Sequence, residues 1–262
     1  MKLSQTEKAR FESYLQEASE APFQGWDFSY MNRYGGQVEE PLEWCYENIV
    51  KETIKPSDIV LDMGTGGGEL LATFQPLREQ TYATEAYPPN IPLAKQTLEP
   101  LGVHVVGIEE GKQEAYSLPF ENNFFTVIIN RHESYDSTEV ARILHPHGVF
   151  ITQQVGQRNS ENLRMTFGTL ESDENFSWNL QTCQTFLVNA GFQILAAKEH
   201  IGYSRFYDIR AVVYLLKAIP WEFPDFEPMT YAPQLLNIHL KILEDGYFDS
   251  VLHRFFIIAQ KP

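Results

Sequence analysis

The sequence predicts an α/β fold, a mostly parallel sheet with helices on both faces. Three observations carry that expectation. From residue 58 onward, apolar runs of strand length alternate with helical patterns. One run, "FFTVIIN" (124–130), is apolar nearly throughout, as suits a strand covered on both faces. In "IVLDMGTGGGEL" (59–70), a glycine turn stands between an apolar strand and a following helical stretch, the usual nucleotide-binding geometry.

The elements follow in order. Residues 4–20 predict a helix: Ser4 and Glu7 form a capping box, and Phe11, Tyr14, Leu15 and Ala18 recur at helical spacing. "APFQGWDFSYMNRYGG" reads as irregular, and a second helix is expected from about Pro41 to Ile54. Strands are expected at 58–63, 80–84, 103–107, 124–130 and 147–153, and helices at 68–76, 91–99 and 137–144. Asp136 and Glu139 mark the start of the last of these. A helix over 180–190 should end at Gly191, followed by a strand in "FQILAAKEH". The chain closes with a strand in "HRFFIIAQKP". Between those two strands, 201–252 holds helical patterns at 207–218 and 231–245, separated by a proline-rich joint.

The chain has 262 residues, 43% of them hydrophobic, enough for one α/β domain with extensions. Its net charge of -15 repels polyphosphates at long range and disfavours nucleic acid as a partner. Two distant cysteines, Cys45 and Cys183, imply neither a disulfide framework nor a metal cluster, so no metal is expected. No apolar run has the length of a membrane span and the opening residues lack a signal-peptide core, so a cytoplasmic location without membrane partners is expected.

The glycine loop has the spacing Gly64-x-Gly66-x-Gly68. A dinucleotide fingerprint would need a third glycine where Glu69 stands, and a phosphate-binding loop would need a Gly-Lys pair that is absent. Asp62, at the strand end, would repel a phosphate and suit a cation. Glu85, at the tip of the next strand, can accept both ribose hydroxyls of an adenosine. Glu114, in "EEGKQEAYSLPF", could accept from an adenine amino group.

With "VLDMGTGGGE", "ATEAY", "EAYSLPFENNFFTVIIN" and "ILHPHGVFITQQ" in that order, the chain resembles the class I S-adenosylmethionine-dependent methyltransferases, closely over about 55–155 and loosely to 262. The resemblance implies a Rossmann-like seven-stranded sheet with its last strand antiparallel, and S-adenosyl-L-methionine as cofactor. It divides the chain into an N-terminal helical extension or lid (1–54), the cofactor-binding core (55–200), a helical insertion over the substrate (201–252) and the last core strand (253–262). It places Asp62, Gly64, Thr65, Gly66 and Gly68 along the methionine part, Glu85 and Ala86 at the ribose, and Glu114 and Ala115 at the adenine, with Tyr87 able to pack on its face. Glu114 stands where the family more commonly has Asp.

If the fold is right, the fourth core strand delivers "NRHESYD" to the reaction site, where reactants lie beyond the strand ends. Asn130 then borders the cofactor, and His132, Glu133 and Arg131 are the catalytic candidates: His132 as a base oriented by Glu133, Arg131 as a carboxylate binder. Gln153 and Gln154 close the fifth core strand beside them. Tyr30, Arg33 and Trp178 are candidate lid contacts, and Trp26, Phe28, Tyr203, Phe206, Tyr207 and Trp221 could add apolar walls. An apolar lid with a few polar groups suits a small-molecule methyl acceptor. An RNA or protein methyltransferase and a non-catalytic S-adenosylmethionine-binding protein are the alternatives. The sequence leaves the oligomeric state open, a homodimer included.

Overall fold

The computed structural model describes residues 4–262 apart from 24, 26, 78, 109–116 and 170–176, with backbone only at 34. Helix α1 (Gln5–Glu20) starts at the expected capping box, in which the Ser4 hydroxyl accepts from the Glu7 N–H and the Glu7 carboxylate accepts from the Ser4 N–H. The short α2 (Ser29–Asn32) follows, then β1 (Gln37–Glu39) and α3 (Tyr46–Thr53). The core alternates β2 (Val60–Met63), β3 (Thr81–Glu85), α4 (Asn90–Leu98), β4 (His104–Gly107), β5 (Phe125–Arg131), α5 (Ser137–Ile143) and β6 (Leu144–Val155). After it come α6 (Glu161–Phe167), α7 (Leu180–Asn189), β7 (Gln193–Phe206), α8 (Ile209–Ala218), α9 (Ala232–Asp245) and β8 (Phe248–Gln260).

The strands form one sheet in the order β1-β7-β8-β6-β5-β2-β3-β4. β6, β5, β2, β3 and β4 are parallel, whereas β8 pairs antiparallel with both β6 and β7. The strand order reverses between β2 and β5, so a ligand crevice opens beyond their carboxyl ends.

The sheet has eight strands rather than seven. The added one, β1, lies between the stretch read as irregular and the expected second helix; only three residues pair, antiparallel to Ser204–Phe206 at the sheet edge. The helix expected over 68–76 shrinks to a 3₁₀ turn, Leu71–Phe74, since glycine precedes it and Pro76 cannot continue it. Helix α3 begins at Tyr46 rather than near Pro41, leaving 40–45 to run across the sheet. The last two strands are longer than expected. Their antiparallel ladder runs from Gln193 to Phe206 against Phe248 to Gln260, so both ends of the 201–252 stretch are strand.

Three buried clusters hold the molecule together. One sheet face packs Val60, Val127, Ile129 and Ile151 against Tyr46 and Val50 of α3, Leu71 and Leu98. The other packs Leu61, Ile128 and Phe150 against α5 and α7. The third joins α1, α2, α6, α8 and α9 around Leu15, Val213, Tyr214 and Leu235. The N-terminal helices and those between the last two strands thus form one layer with its own core.

Candidate functional site

Strand β2 delivers Asp62, 6% exposed, to the crevice. Burial pushes its carboxyl up to about 7; Thr65 beside it opposes the shift, Glu85 adds to it and Arg131 opposes it. The glycine loop then turns back with left-handed backbone at Gly64 (φ +68°) and Gly68 (φ +87°). Added Cβ atoms would strike neighbours at both positions. At Gly64 it would lie 2.5 Å from Glu133 Cβ and 2.6 Å from Glu133 Oε2; at Gly68, 2.6 Å from Leu98 Cγ. The Thr65 N–H donates to the Thr84 carbonyl, tying the loop to the end of β3.

Glu85, 5% exposed, closes β3, and its Oε1 accepts from the Tyr87 N–H at 2.7 Å. Burial raises its pKa; the Tyr87 and Gly66 N–H groups oppose this and Glu133 reinforces it. Glu133 follows β5 with its side chain laid over Gly64. Burial raises its pKa too, against the Ser134 hydroxyl and N–H. Three carboxyls therefore converge on the glycine loop. Among the described residues none of them is ion-paired.

Unpartnered polar atoms lie in the same place. Asn130 is fully buried at the end of β5. Its Oδ1 accepts from the Thr152 hydroxyl at 2.9 Å and the Gln154 amide at 2.6 Å, while its Nδ2 has no partner. The Tyr46 hydroxyl is also buried, with no close hydrogen-bond partner among the described residues; burial and then Asp62 hold its pKa well above the usual value, against Arg131 and the Asn130 backbone. Buried polar groups are nearly always satisfied, so such orphans mark places where a ligand supplies the missing partner. A ligand with a positive centre and several hydroxyls and carbonyls fits acids and orphans alike.

A second polar group lies on the sheet face that carries α3. Register pairs Arg131 of β5 with Gln153 of β6, and Gln153 with Phe256 of β8. Arg131 lies 3.8 Å from Glu47, and its Nε is buried without a partner. Arg254 of β8 is half-buried; its Nη1 donates to Asn159 Oδ1 at 2.5 Å and its Nη2 lies 3.3 Å from Glu39. His132 takes a left-handed turn, φ +62°, off the end of β5, and its ring is held well below its usual pKa by burial, Arg254 and Arg131. Its Nε2 lies 3.1 Å from Gln153 Nε2, and Gln153 Oε1 in turn accepts from the Trp44 indole N–H at 2.8 Å.

The crevice thus brings together Asp62, Thr65, Glu85, Asn130, Glu133 and Gln154, with Arg131, His132 and Gln153 alongside. Ala86 and Gly66 follow the same chain path. Glu114 and Ala115 lie outside the described residues, as does Trp26. Tyr30 sits in the helical layer, stacked on Tyr214 at 4.6 Å with the Arg33 guanidinium 5.3 Å from its ring. Trp178 packs on the α5–α7 face against Tyr135 and Phe255. Trp44, Tyr46 and Arg254 were not foreseen. Trp44 and Tyr46 read as the start of a helix, and Arg254 as part of an ordinary strand; only the sheet register brings them to one place. The described residues hold no cluster suited to a metal.

Residues 61–152 match the model of the methyltransferase domain family. Over those residues the chain carries a methyltransferase domain, in line with the resemblance that its motifs show. No protein of curated function matches the sequence significantly. Solved structures share the fold. A methyltransferase candidate from Bacillus halodurans C-125 is 16% identical, with a TM-score of 0.58 over 83% of this chain and 98% of that one. A protein of unknown function from Deinococcus radiodurans R1, 15% identical, covers 96% of this chain and 100% of its own at a TM-score of 0.58. The [4+2]-cyclase SpnF, 14% identical, covers 96% and 92% at 0.54. The shared fold therefore extends beyond the matched domain to the helical layer. A cyclase among such neighbours means that fold alone does not name the reaction.

Proposed function

We propose that the crevice between β2 and β5 binds S-adenosyl-L-methionine and that the enzyme passes its methyl group in line to a small-molecule acceptor lying between the sheet rim and the helical layer. The observation that carries this reading is the convergence of the buried Asp62 and Glu85 and the half-buried Glu133, none of them ion-paired among the described residues, on a loop with no room for side chains. A phosphate-rich ligand would meet repulsion there; a sulfonium and an ammonium relieve it.

The bound cofactor would supply a methyl group on a good leaving group, so the protein's work is positioning and exclusion of water. Asp62 and the Thr65 hydroxyl would hold the ammonium end and Glu85 the ribose hydroxyls. Asn130 Nδ2 would donate to an acceptor on the ligand. Glu114 and Ala115 would border the adenine. Glu133, its carboxyl raised by burial, is placed to take a proton from an acceptor that must lose one. Arg131 and Gln153 would orient the acceptor's polar end. The lid would be the helical layer with α1, α2, α8 and α9, over the sheet that carries the crevice. A net charge of -15 favours a small acceptor over a polyanion.

Titration calorimetry with S-adenosylmethionine, S-adenosylhomocysteine and NAD tests the reading. Micromolar binding of both adenosyl ligands, none of NAD, and at least a tenfold loss in Glu85→Ala are expected, since a hydrogen bond to a charged group contributes about 1.5–3 kcal/mol. Absence of adenosyl-ligand binding by the wild type would sink it.

A further inference from the structure

The arrangement around His132 determines which way that ring can act. The Trp44 indole N–H donates to Gln153 Oε1 at 2.8 Å. An indole nitrogen only donates, so the Gln153 amide cannot be turned the other way round without setting two donors face to face. Its NH₂ end therefore points to His132 Nε2, 3.1 Å away. An NH₂ group needs an acceptor, so Nε2 must carry a lone pair. A neutral imidazole with a bare Nε2 keeps its proton on Nδ1. The His132 backbone N–H donates to the Gln153 carbonyl at 2.8 Å, which holds both residues at one height on the rim. Among the described residues Nδ1 has no hydrogen-bond partner.

We infer that Trp44 and Gln153 are positioning residues that lock His132 in its Nδ1-protonated tautomer, so that His132 meets the methyl acceptor as a hydrogen-bond donor and not as a base. The role of this donor rests on the proposed methyl transfer; the tautomer does not. The ring nitrogen that could take a proton is already engaged by an amide, and the other already holds one. An acceptor oriented by His132 presents it with a lone pair, as a carboxylate, carbonyl or phenolate oxygen does. Any proton lost in the reaction must then go elsewhere, and Glu133 is the neighbouring group able to receive it.

The test is long-range ¹H–¹⁵N correlation of the histidine rings in ¹⁵N-labelled full-length protein at pH 7.5, with His132 assigned by its loss in His132→Asn. The wild type should show a neutral ring protonated on Nδ1. Gln153→Glu keeps the shape but puts an acceptor where the donor was, so the ring should reverse to carry Nε2–H. Trp44→Phe keeps the ring packed on Phe256, 5.0 Å away, but frees the amide to turn, and should give a mixture. An Nε2-protonated or doubly protonated ring in the wild type would overturn the inference, as would a Gln153→Glu spectrum unchanged from wild type. Calorimetry with S-adenosylhomocysteine on the same samples separates the two ideas. Binding together with the wrong tautomer defeats this inference alone, whereas no binding by the wild type defeats the methyl-transfer reading and leaves the tautomer to be judged from the spectrum.

Discussion

Asp62 shows how much a single buried carboxyl can report. Its pKa is about 7 in the fold and about 3.9 in an unfolded chain, so the fold holds the proton more tightly. The stability it contributes is complete below about pH 4 and is lost as pH rises through about 7. Glu85 and Glu133, also raised, act with the same sign. These three carboxyls therefore widen the gap by which the ligand-free protein melts higher at pH 5.5 than at pH 8, while His132, its pKa lowered, works against them. Asp62→Asn should narrow that gap, with each kcal/mol moving Tm by roughly 2–4 °C in a chain of this size. Scanning fluorimetry at the two pH values checks this; an equal gap in both proteins would mean that Asp62 carries no proton at pH 5.5. A cationic ligand reverses the preference. Its binding at pH 6.5 should release protons, seen as a calorimetric enthalpy that changes with the buffer's ionisation heat. Asp62 and Glu85 were legible in the sequence because an acid at a strand tip is a local pattern. The unpaired Nδ2 of Asn130 was not, since it depends on how Thr152 and Gln154 of the neighbouring strand spend their hydrogen bonds.

Among the elements, the glycine loop is the most constrained. Gly68→Ala adds a Cβ against Leu98 and forces an L-residue to φ +87°, a strain of order 1–3 kcal/mol. Thermal melts should show that loss, and calorimetry should show weakened cofactor binding; a neutral variant would mean that the loop has slack. Helix boundaries were harder to foresee. The residues from Leu42 onward have a helical face, yet α3 starts at Tyr46 because Trp44 is drawn to Gln153 and Phe256 on the sheet. Tertiary packing outweighs propensity at such ends. The strand β1 escaped notice for a related reason: three residues carry too short a pattern, and the open edge of β7 supplies the rest.

At the scale of the whole molecule, the helical layer and the sheet have separate cores, so they should differ in stability. Leu15 is fully buried in the layer, and Leu15→Ala should cost about 2–5 kcal/mol. Hydrogen exchange should quicken in α1, α8 and α9 while β2 and β5 stay protected; equal loss in both would show one cooperative unit. The acidic surface makes a second claim. With a net charge of -15 the purified protein should not shift structured RNA in a gel at low salt, and tight, salt-sensitive binding would point to a macromolecular acceptor.

The sequence by itself determined the α/β alternation, the glycine turn after β2, the acids at the strand tips and the polar run "NRHESYD" after β5. All of these are written within a few consecutive residues, as hydrophobic period, turn chemistry or strand-end position. Tertiary structure alone decided the eighth strand, the union of the first and late helices in one layer, and the meeting of Trp44, Gln153, His132 and Arg254. Those residues are far apart in the chain. They come together through sheet register and through the hydrogen bonds that buried groups must find, and neither leaves a mark in local sequence.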